Sequence, residues 1–325
     1  MTENVVTSDN FEHYLVSHPF LGKPENLYNA MNYIMQLGGK RMRPKFLLLA
    51  YKANGGNNDE QAMKLALSIE TFHNFSLVHD DIMDNAPIRR GKKTVHEEWN
   101  MPTAILAGDN LLLQCYRLIL ETEFECRVEL LKEFTAMSAL VCDGQQMDMN
   151  LPNYETISEA DYLKMIELKT AVLPACALKM GAMAAGASDE VAQQYYDFGL
   201  NIGMAFQLQD DFLDAFGAES EIGKQEAGDI IENKRTILYL HAESTLAAEE
   251  CSELKEWMSH SPELTQTKIE RVRHLFKQAG SDTYLAEMKA GYEHNALQIL
   301  NEVCTDSVYK QQFMLLFDFL KARNS

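Results

Sequence analysis

Hydrophobic residues recur at three- and four-residue intervals along most of this chain. The pattern predicts helices over residues 60–84, 103–120, 159–185 and 189–216, and more weakly over 282–301. Alternating hydrophobic and polar segments between turn pairs, which are typical of sheets, are not evident. We therefore predict an all-α fold of about ten or more helices.

Breaks in this pattern locate the helix ends. The loop at 54–59 ends in Asp59, a predicted N-cap, and residues 187–190 predict a turn into another capped helix. Pro87 predicts the end of the helix before it, because the residue preceding a proline is disfavoured in the helical conformation. Glycine and charged residues make 216–235 a predicted mobile loop. Since no linker or repeat divides the chain, we predict a single domain, residues 1–325.

Charge narrows the possible functions. The chain has 48 acidic and 29 basic residues, a formal net charge of −19. A nucleic-acid-binding protein needs a basic surface, and docking on anionic lipid needs clusters of lysine and arginine. We therefore expect neither a nucleic-acid-binding protein nor one that docks on anionic lipid. Taken alone, the charge also argues against a polyanionic small substrate.

Cysteine spacing and hydropathy suggest the compartment. The six cysteines are scattered and form no CxxC pair, so we expect reduced thiols rather than a disulfide framework or a zinc site. The first twenty residues have no basic segment followed by an apolar one, and no apolar run reaches the length of a membrane span. We expect a cytoplasmic protein.

Two aspartate clusters with the pattern DDxxD lie at the ends of two predicted helices. They are Asp80, Asp81 and Asp84, and Asp210, Asp211 and Asp214. Three acids near a helix C-terminus repel each other and oppose the helix dipole, which favours cations there. That cost suggests a bound cation, and ligands consisting only of oxygen suit Mg²⁺ held together with substrate phosphates. The alternative is a solvated acidic helix end, which the presence of two matching DDxxD clusters disfavours.

Basic residues accompany these clusters. They occur in GGKRMRP at 38–44, in RRG at 89–91, at Lys169-Thr170, and at Lys224 and Lys234 beside the glycine-rich loop. Each could be a surface charge. Together with glycines, which let a backbone approach a phosphate, they instead indicate that a diphosphate ester is bound and ionised. The GGKRMRP segment lacks the spacing of a Walker A motif.

These motifs in combination resemble the trans-type isoprenyl diphosphate synthases, also called polyprenyl synthetases. The likeness runs from about residue 36 to about 236. It includes GGKRMRP (38–44), ETFHNFSLVHDDIMD (70–84), RRG (89–91), GDNLL (108–112), GQQMD (144–148), KT (169–170), FQLQDDFLD (206–214), and GK with KRT (223–224 and 234–236). Unlike many bacterial farnesyl synthases, the first aspartate cluster has no two-residue insertion.

The resemblance implies a fold and an activity. The fold would be a single large helical bundle of the isoprenoid synthase type with a central active-site cavity, usually in a homodimer. The activity would be a Mg²⁺-dependent head-to-tail condensation of isopentenyl diphosphate with an allylic diphosphate, releasing diphosphate. Dimethylallyl, geranyl and farnesyl diphosphate are the expected allylic substrates, and three Mg²⁺ ions are expected once substrate is bound.

The resemblance also implies roles for individual residues. The metal ligands would be Asp80, Asp81, Asp84, Asp210 and Asp214. The allylic diphosphate would be held by Arg89, Lys169, Thr170, Gln207, Lys224 and Lys234, and Asp211 completes the catalytic set. Isopentenyl diphosphate would be held by Gly39, Lys40, Arg43, His73 and Arg90.

Product length is predicted from the helix that carries the first cluster. Phe75 and Ser76 lie about one turn before Asp80, where the floor of a hydrocarbon pocket is expected, and Phe72 reinforces it. A phenylalanine there should stop elongation early. We predict a product of about fifteen to twenty carbons, closer to twenty because Ser76 is small.

Three alternatives stay open. A terpene cyclase of the same fold would not need Lys40, Arg43 and His73 together. A non-catalytic subunit of a heteromeric synthase would be expected to have lost acids from one cluster. A helical metal-binding scaffold would leave the basic residues unexplained.

Overall fold

A computed structural model describes residues 8–217, 227–259 and 265–321 of the chain, and this part is almost entirely helical. Its α-helices are α1 (Ser8–Ser17), α2 (Glu25–Gln36), α3 (Met42–Ala53), α4 (Asp59–Met83), α5 (Val95–Glu98), α6 (Met101–Leu120), α7 (Arg127–Asn150), α8 (Glu159–Ile166), α9 (Val172–Ala184), α10 (Asp189–Phe216), α11 (Gly228–Ile231), α12 (Ile237–Thr245), α13 (Ala248–Trp257), α14 (Thr265–Gln278), α15 (Ser281–Val303) and α16 (Ser307–Lys321). The predicted all-α class is confirmed.

The helices expected from the hydrophobic pattern are present, with differences at their ends. The N-cap of α4 is Asn58, whose side chain accepts a hydrogen bond from the Gln61 N–H, and Asp59 is already helical. Ser188 caps α10 by accepting from the Val191 N–H at 3.3 Å. The N-cap prediction at Asp59 was therefore wrong by one residue, because asparagine and aspartate cap equally well.

The predicted helix over 159–185 is interrupted. A five-residue π-helical turn, Glu167–Ala171, joins α8 to α9. Its side chains keep the apolar periodicity on both sides, so the pattern along the sequence passes through the turn unbroken. Such turns occur mostly inside α-helices and often at functional sites.

A short hairpin was not predicted. Strands β1 (Ile88–Arg89) and β2 (Lys92–Lys93) pair antiparallel, with Ile88 opposite Lys93. The two loop residues, Arg90 and Gly91, have φ angles of 52° and 72°, the positive values that tight two-residue hairpin turns require. Two-residue strands are too short to show alternation, which is why the sequence pattern missed them.

The chain divides into two compact units. The first comprises Met1–Ala136, Cys176–Tyr196 and Asp306–Tyr309, and the second comprises Met137–Ala175, Asp197–Thr305 and Lys310–Ser325. In the first unit, α4 packs against α6, α3 and α2. Close packing of α4 on α6 depends on Gly108, because a Cβ there would overlap the ring of His79.

The second unit has its own hydrophobic core. Side chains from α8, α12, α14 and α15 form a buried cluster around Leu240, Val272 and Leu275. The predicted single domain and central cavity remain predictions. No helix in the described ranges is both long and apolar enough to cross a membrane.

Candidate active site

The first acidic cluster lies where the sequence predicts, at the C-terminal end of α4 in the first unit. The backbone N–H of Asp84 donates to the Asp80 carbonyl at 2.9 Å, so helical spacing continues through Asp84. Residues four apart in a helix share a face. Asp84 is exposed and Asp80 half-buried, so both outer acids of the cluster reach the surface.

The middle acid of this cluster has a different environment. Asp81 is buried, and its Oδ1 accepts a hydrogen bond from the Arg89 Nε at 2.7 Å. Burial raises the pKa of Asp81 to about 6, although the Arg89 charge acts in the opposite direction. The other carboxylate oxygen, Oδ2, is buried and accepts no hydrogen bond from the described residues. Asp81 thus contacts the hairpin, and its predicted role as a metal ligand stays a prediction.

The hairpin brings the two predicted arginines beside this cluster and beside the GGKRMRP loop. Arg89 also contacts Asp80, with the Arg89 Nη2 3.5 Å from the Asp80 Oδ2. Arg90 donates from Nη1 to the carbonyl of Gly38. A Cβ on Gly39 would lie 3.0–3.1 Å from the Arg90 guanidinium, and Gly39 has a φ of 137°. Only glycine fits this backbone and this contact without strain.

His73 lies among positive charges on α4. Burial, and next the charge of Arg43, hold the pKa of His73 well below its usual range, with Arg90, Arg89 and Arg41 adding to the shift. Its imidazole is therefore neutral at physiological pH. The three cations predicted for the same substrate differ in exposure, since Lys40 and Arg90 are exposed and Arg43 is half-buried. The predicted isopentenyl diphosphate residues thus lie together in the first unit.

An aromatic cluster occupies the helix turns before Asp80. The Phe75 ring lies 5.3 Å from that of Phe72 and 4.9 Å from that of His79, measured between centroids. Phe72 is fully buried and packs edge-on against Phe134. Ser76 is half-buried, and its hydroxyl donates to the His73 carbonyl at 2.9 Å. Phe75 is thus supported on two sides and has little freedom to move aside.

The second acidic cluster lies in the last two turns of α10, in the second unit. Asp210 and Asp214 are half-buried. Asp214 Oδ2 accepts a hydrogen bond from the Asp229 N–H at 2.8 Å, at the start of the short helix α11. One oxygen of Asp214 therefore fixes the backbone at Asp229, shortly after the described residues resume at 227. Asp210, at the i−4 position on the same face, is the counterpart of Asp80 in the first cluster.

Asp211, the middle acid, is buried within a hydrogen-bonded chain. Its Oδ2 accepts from the Tyr162 hydroxyl at 2.6 Å, and its Oδ1 accepts from the Gln207 Nε2 at 3.0 Å. The Gln207 Oε1 in turn accepts from the Thr170 hydroxyl at 3.1 Å. Burial, and next the charge of Asp229, raise the pKa of Asp211 to about 8. The chain links Asp211 to two residues that are predicted to hold the allylic diphosphate.

The π-helical turn presents Lys169 and Thr170. Lys169 Nζ lies 2.6 Å from Asp148 Oδ2 on α7. Gly144, one turn earlier on α7, approaches so closely that a Cβ would overlap the Lys169 backbone nitrogen. On the other side a Cβ at Gly203 would lie only 2.5 Å from the Ala171 Cα. Two glycines therefore allow α7 and α10 to pack tightly against the turn.

Lys234 follows α11 in the second unit. Its Nζ lies 3.0 Å from Glu232 Oε2 and 3.5 Å from Asp229 Oδ1. Burial acts to lower the pKa of Lys234, but these two carboxylates outweigh it and the pKa is raised. Lys234 is therefore fully charged. The predicted loop at 216–235 contains the short helix α11, so that prediction was wrong for residues 228–231. Lys224, the other predicted lysine, lies with residues 218–226 outside the described residues.

Both acidic clusters fit Mg²⁺ by the chemistry of their donors. Both clusters offer only carboxylate oxygens. Of the outer acids, Asp84 is exposed, and Asp80, Asp210 and Asp214 are half-buried. Within the described ranges, no three or more His, Cys, Asp or Glu side chains are grouped to hold a metal ion. The outer acids, Asp80 and Asp84 in one cluster and Asp210 and Asp214 in the other, would hold Mg²⁺ through their carboxylates, and the ion would supply positive charge for substrate phosphates.

Sequence reasoning missed three residues that contact the predicted site residues and fix their positions, namely Asp148, Tyr162 and Asp229. Asp148 lies within the GQQMD motif, which could have identified it, but its pairing with Lys169 depends on the π-helical turn. Tyr162 and Asp229 belong to no motif that we recognised. Their roles arise from contacts between helices that are distant in sequence.

Comparison with known proteins identifies the family. The polyprenyl synthetase family model matches residues 24–277. A geranylfarnesyl diphosphate synthase of Natronomonas pharaonis is 35% identical over 319 residues, covering 93% of this chain and 91% of that protein. A geranylgeranyl diphosphate synthase of Methanosarcina mazei is 35% identical over 304 residues, with the same coverages.

Solved structures agree. A crystal structure of a geranylgeranyl pyrophosphate synthase superimposes with a TM-score of 0.92 at 39% identity and covers 98% of both chains. The geranylgeranyl pyrophosphate synthetase of Pyrococcus horikoshii has a TM-score of 0.88 at 29% identity, covering 96% of this chain and 95% of that one. The chain belongs to the polyprenyl synthetase family, and the predicted resemblance is confirmed.

The Tyr162–Asp211 contact leads to a first prediction. In Tyr162→Phe a buried carboxyl loses a hydrogen-bond donor, so we expect the free energy of unfolding to fall by about 1–3 kcal/mol. Chemical denaturation followed by circular dichroism measures this. Tyr33→Phe is the control, because the Tyr33 hydroxyl donates to the Lys93 carbonyl at the surface, and we expect a change within about 0.5 kcal/mol. Equal losses in the two variants would contradict the assignment.

Proposed function

We propose that this protein is a prenyltransferase that condenses isopentenyl diphosphate head-to-tail with an allylic diphosphate. Membership of the polyprenyl synthetase family carries the proposal. The intact pair of DDxxD clusters and the full isopentenyl diphosphate set favour it over the alternatives. A cyclase has no use for Lys40, Arg43 and His73 together, and a non-catalytic subunit would be expected to lack acids from one cluster.

In the proposed reaction the allylic diphosphate ionises to an allylic cation and diphosphate. The isopentenyl double bond attacks that cation, and the new cation formed by this attack loses a proton to the released diphosphate. Members of this family use Mg²⁺. When bound, Mg²⁺ neutralises the diphosphate and stabilises the charge that develops on the leaving group. We propose that Asp80, Asp84 and Asp210 bind it directly and that three ions act once substrate is present.

The remaining charge is taken by the protein. Arg89, Lys169, Lys224 and Lys234 would donate to the allylic diphosphate. Thr170 and Gln207 would add neutral hydrogen bonds, oriented by buried Asp211. Lys40, Arg43 and Arg90 would hold isopentenyl diphosphate, while neutral His73 would donate a hydrogen bond without adding charge.

We propose a cytoplasmic location, which the scattered spacing of the cysteines supports.

The function is tested by incubating the protein with Mg²⁺, labelled isopentenyl diphosphate and each allylic primer. We expect prenyl diphosphate products, whereas a cyclase would release hydrocarbons or alcohols. Metal dependence is the matched arm: with a chelator in place of Mg²⁺, we expect the affinity for geranyl diphosphate to fall roughly tenfold or more by calorimetry, because uncompensated carboxylates repel it. The proposal fails if no primer incorporates label.

Chain length is proposed to be set by Phe75, giving about fifteen to twenty carbons. Replacing Phe75 by Ala removes a ring that Phe72 and His79 hold in place, so we expect longer products by chromatography. Ile119→Ala is the control, since it removes a comparably buried side chain from the neighbouring helix α6. A Phe75→Ala product of unchanged length would show that the floor lies elsewhere.

We propose a homodimer formed through α6. Three exposed leucines on α6, Leu106, Leu113 and Leu120, recur every seven residues and therefore lie along one side of the helix. We expect Leu113→Glu to convert the dimer to a 36.9 kDa monomer in size-exclusion chromatography with light scattering. Leu21→Glu alters an exposed leucine outside α6 and should leave the mass unchanged. A Leu113→Glu variant that stays dimeric would exclude this face.

A further inference from the structure

Arg41 differs from the other cations of the GGKRMRP loop because its side chain is buried. It lies between Lys40, which is exposed, and Met42, where α3 begins. Its side chain is only 1% exposed. A guanidinium this deeply buried requires partners inside the protein, since an unpaired buried charge is strongly unfavourable.

Those partners come from three separate helices. Arg41 Nε donates to Glu12 on α1 at 2.8 Å, and Nη1 donates to Glu70 on α4 at 2.6 Å. Nη2 donates to the carbonyl of Met35, near the end of α2, at 2.7 Å. Each nitrogen of the guanidinium therefore has a protein acceptor. With no nitrogen left accessible, Arg41 is not placed to bind a phosphate itself.

The loop backbone is arranged around this side chain. Arg41 has the left-handed values φ 49° and ψ 40°, which non-glycine residues adopt only when the surroundings compensate. Gly38 and Gly39 before it also have positive φ angles. This sequence of turns sends the Arg41 side chain into the protein while the neighbouring Lys40 remains at the surface.

Glu70 is the main anchor. Its side chain is 3% exposed, and the Asn74 amide also contacts it, with Nδ2 3.4 Å from Oε1. The Glu12 side chain is 38% exposed, so solvent screens its pairing with Arg41 more strongly. On the other side of the loop, Arg90 donates to the Gly38 carbonyl. The loop is therefore held by Arg41 from within and by Arg90 from outside.

We infer that Arg41 and Glu70 form a positioning pair that fixes the loop carrying Lys40 and Arg43 for the binding of isopentenyl diphosphate. The inference rests on the proposed function, which assigns that substrate to this loop. Arg41 acts through its neighbours rather than on the substrate. Two carboxylates compensate its charge, so the substrate meets the cations on either side of it.

Glu70→Gln separates positioning from simple electrostatics by the sign of its effect. Removing a negative charge near an anion site should tighten binding of isopentenyl diphosphate if only long-range charge matters. If the pair positions the loop, binding weakens instead, because a buried arginine loses its charged partner. We expect a rise of roughly tenfold in the KM for isopentenyl diphosphate, with the KM for geranyl diphosphate unchanged.

Arg41→Lys should also raise the KM for isopentenyl diphosphate, since an ammonium group cannot reproduce the three diverging contacts of a planar guanidinium. Glu60→Gln removes an exposed carboxylate from the first turn of α4 and is the matched control, expected to leave both KM values unchanged. If Glu70→Gln does not fold by circular dichroism, Glu12→Gln replaces it, with a smaller rise expected in the same KM.

The outcomes are distinguishable. A wild-type protein that condenses no primer overturns the proposed function itself. An active wild type, together with a Glu70→Gln variant that binds isopentenyl diphosphate equally or more tightly, overturns only the positioning pair. A parallel rise in both KM values, or a loss of kcat alone, would also overturn it, because general destabilisation does not single out one substrate.

Discussion

Repulsion between neighbouring carboxylates is the constraint on which the geometry of both acidic clusters depends. Each DDxxD cluster places three acids at a helix end where the dipole already disfavours negative charge. The structure relieves this by giving the middle acid a different environment from the outer two. Asp81 turns to Arg89 and Asp211 turns to Tyr162, both inside the protein. Burial raises the pKa of both middle acids, to about 8 for Asp211, which is therefore largely neutral at pH 7, and to about 6 for Asp81, which stays ionised and is compensated by Arg89. In both clusters the middle acid is thus turned away from the outer two.

The cations have the complementary problem, because like charges that lie near one another repel. Three of the basic residues predicted to bind the allylic diphosphate are each paired with a carboxylate: Lys169 with Asp148, Lys234 with Asp229, and Arg89 with Asp81. Such pairs hold the side chains in place before substrate arrives, and this preorganisation is what electrostatic catalysis requires. The net charge of −19 is therefore compatible with a polyanionic substrate, and the initial expectation against one was wrong.

Sequence reasoning recovered the features that depend on short spacing along the chain. The helices carrying both clusters follow from apolar periodicity, and the family and the prenyltransferase class follow from motifs within single segments. The π-helical turn could not be predicted, because Lys169 and Thr170 keep a helical pattern while α7 and α10 reshape the backbone around them. The hairpin was missed because its strands have two residues each. The burial of Asp81 and Asp211 was missed because identical letters in a DDxxD motif carry no information about which helix packs beside them.

A π-helical turn is a rare departure from α-helical geometry. At this turn, glycines let the neighbouring helices approach the backbone closely. Gly144 and Gly203 permit that approach from two sides, and a side chain at either position would push the backbone of Lys169 or Ala171 away. Gly39 plays the corresponding part for Arg90 at the other end of the sequence motifs. Because each of these glycines faces a backbone or a guanidinium, the motifs record packing requirements as well as substrate contacts. Motif residues that contact other parts of the protein, such as Gly144 and Arg41, are in this way as closely tied to the local geometry as the residues proposed to bind substrate.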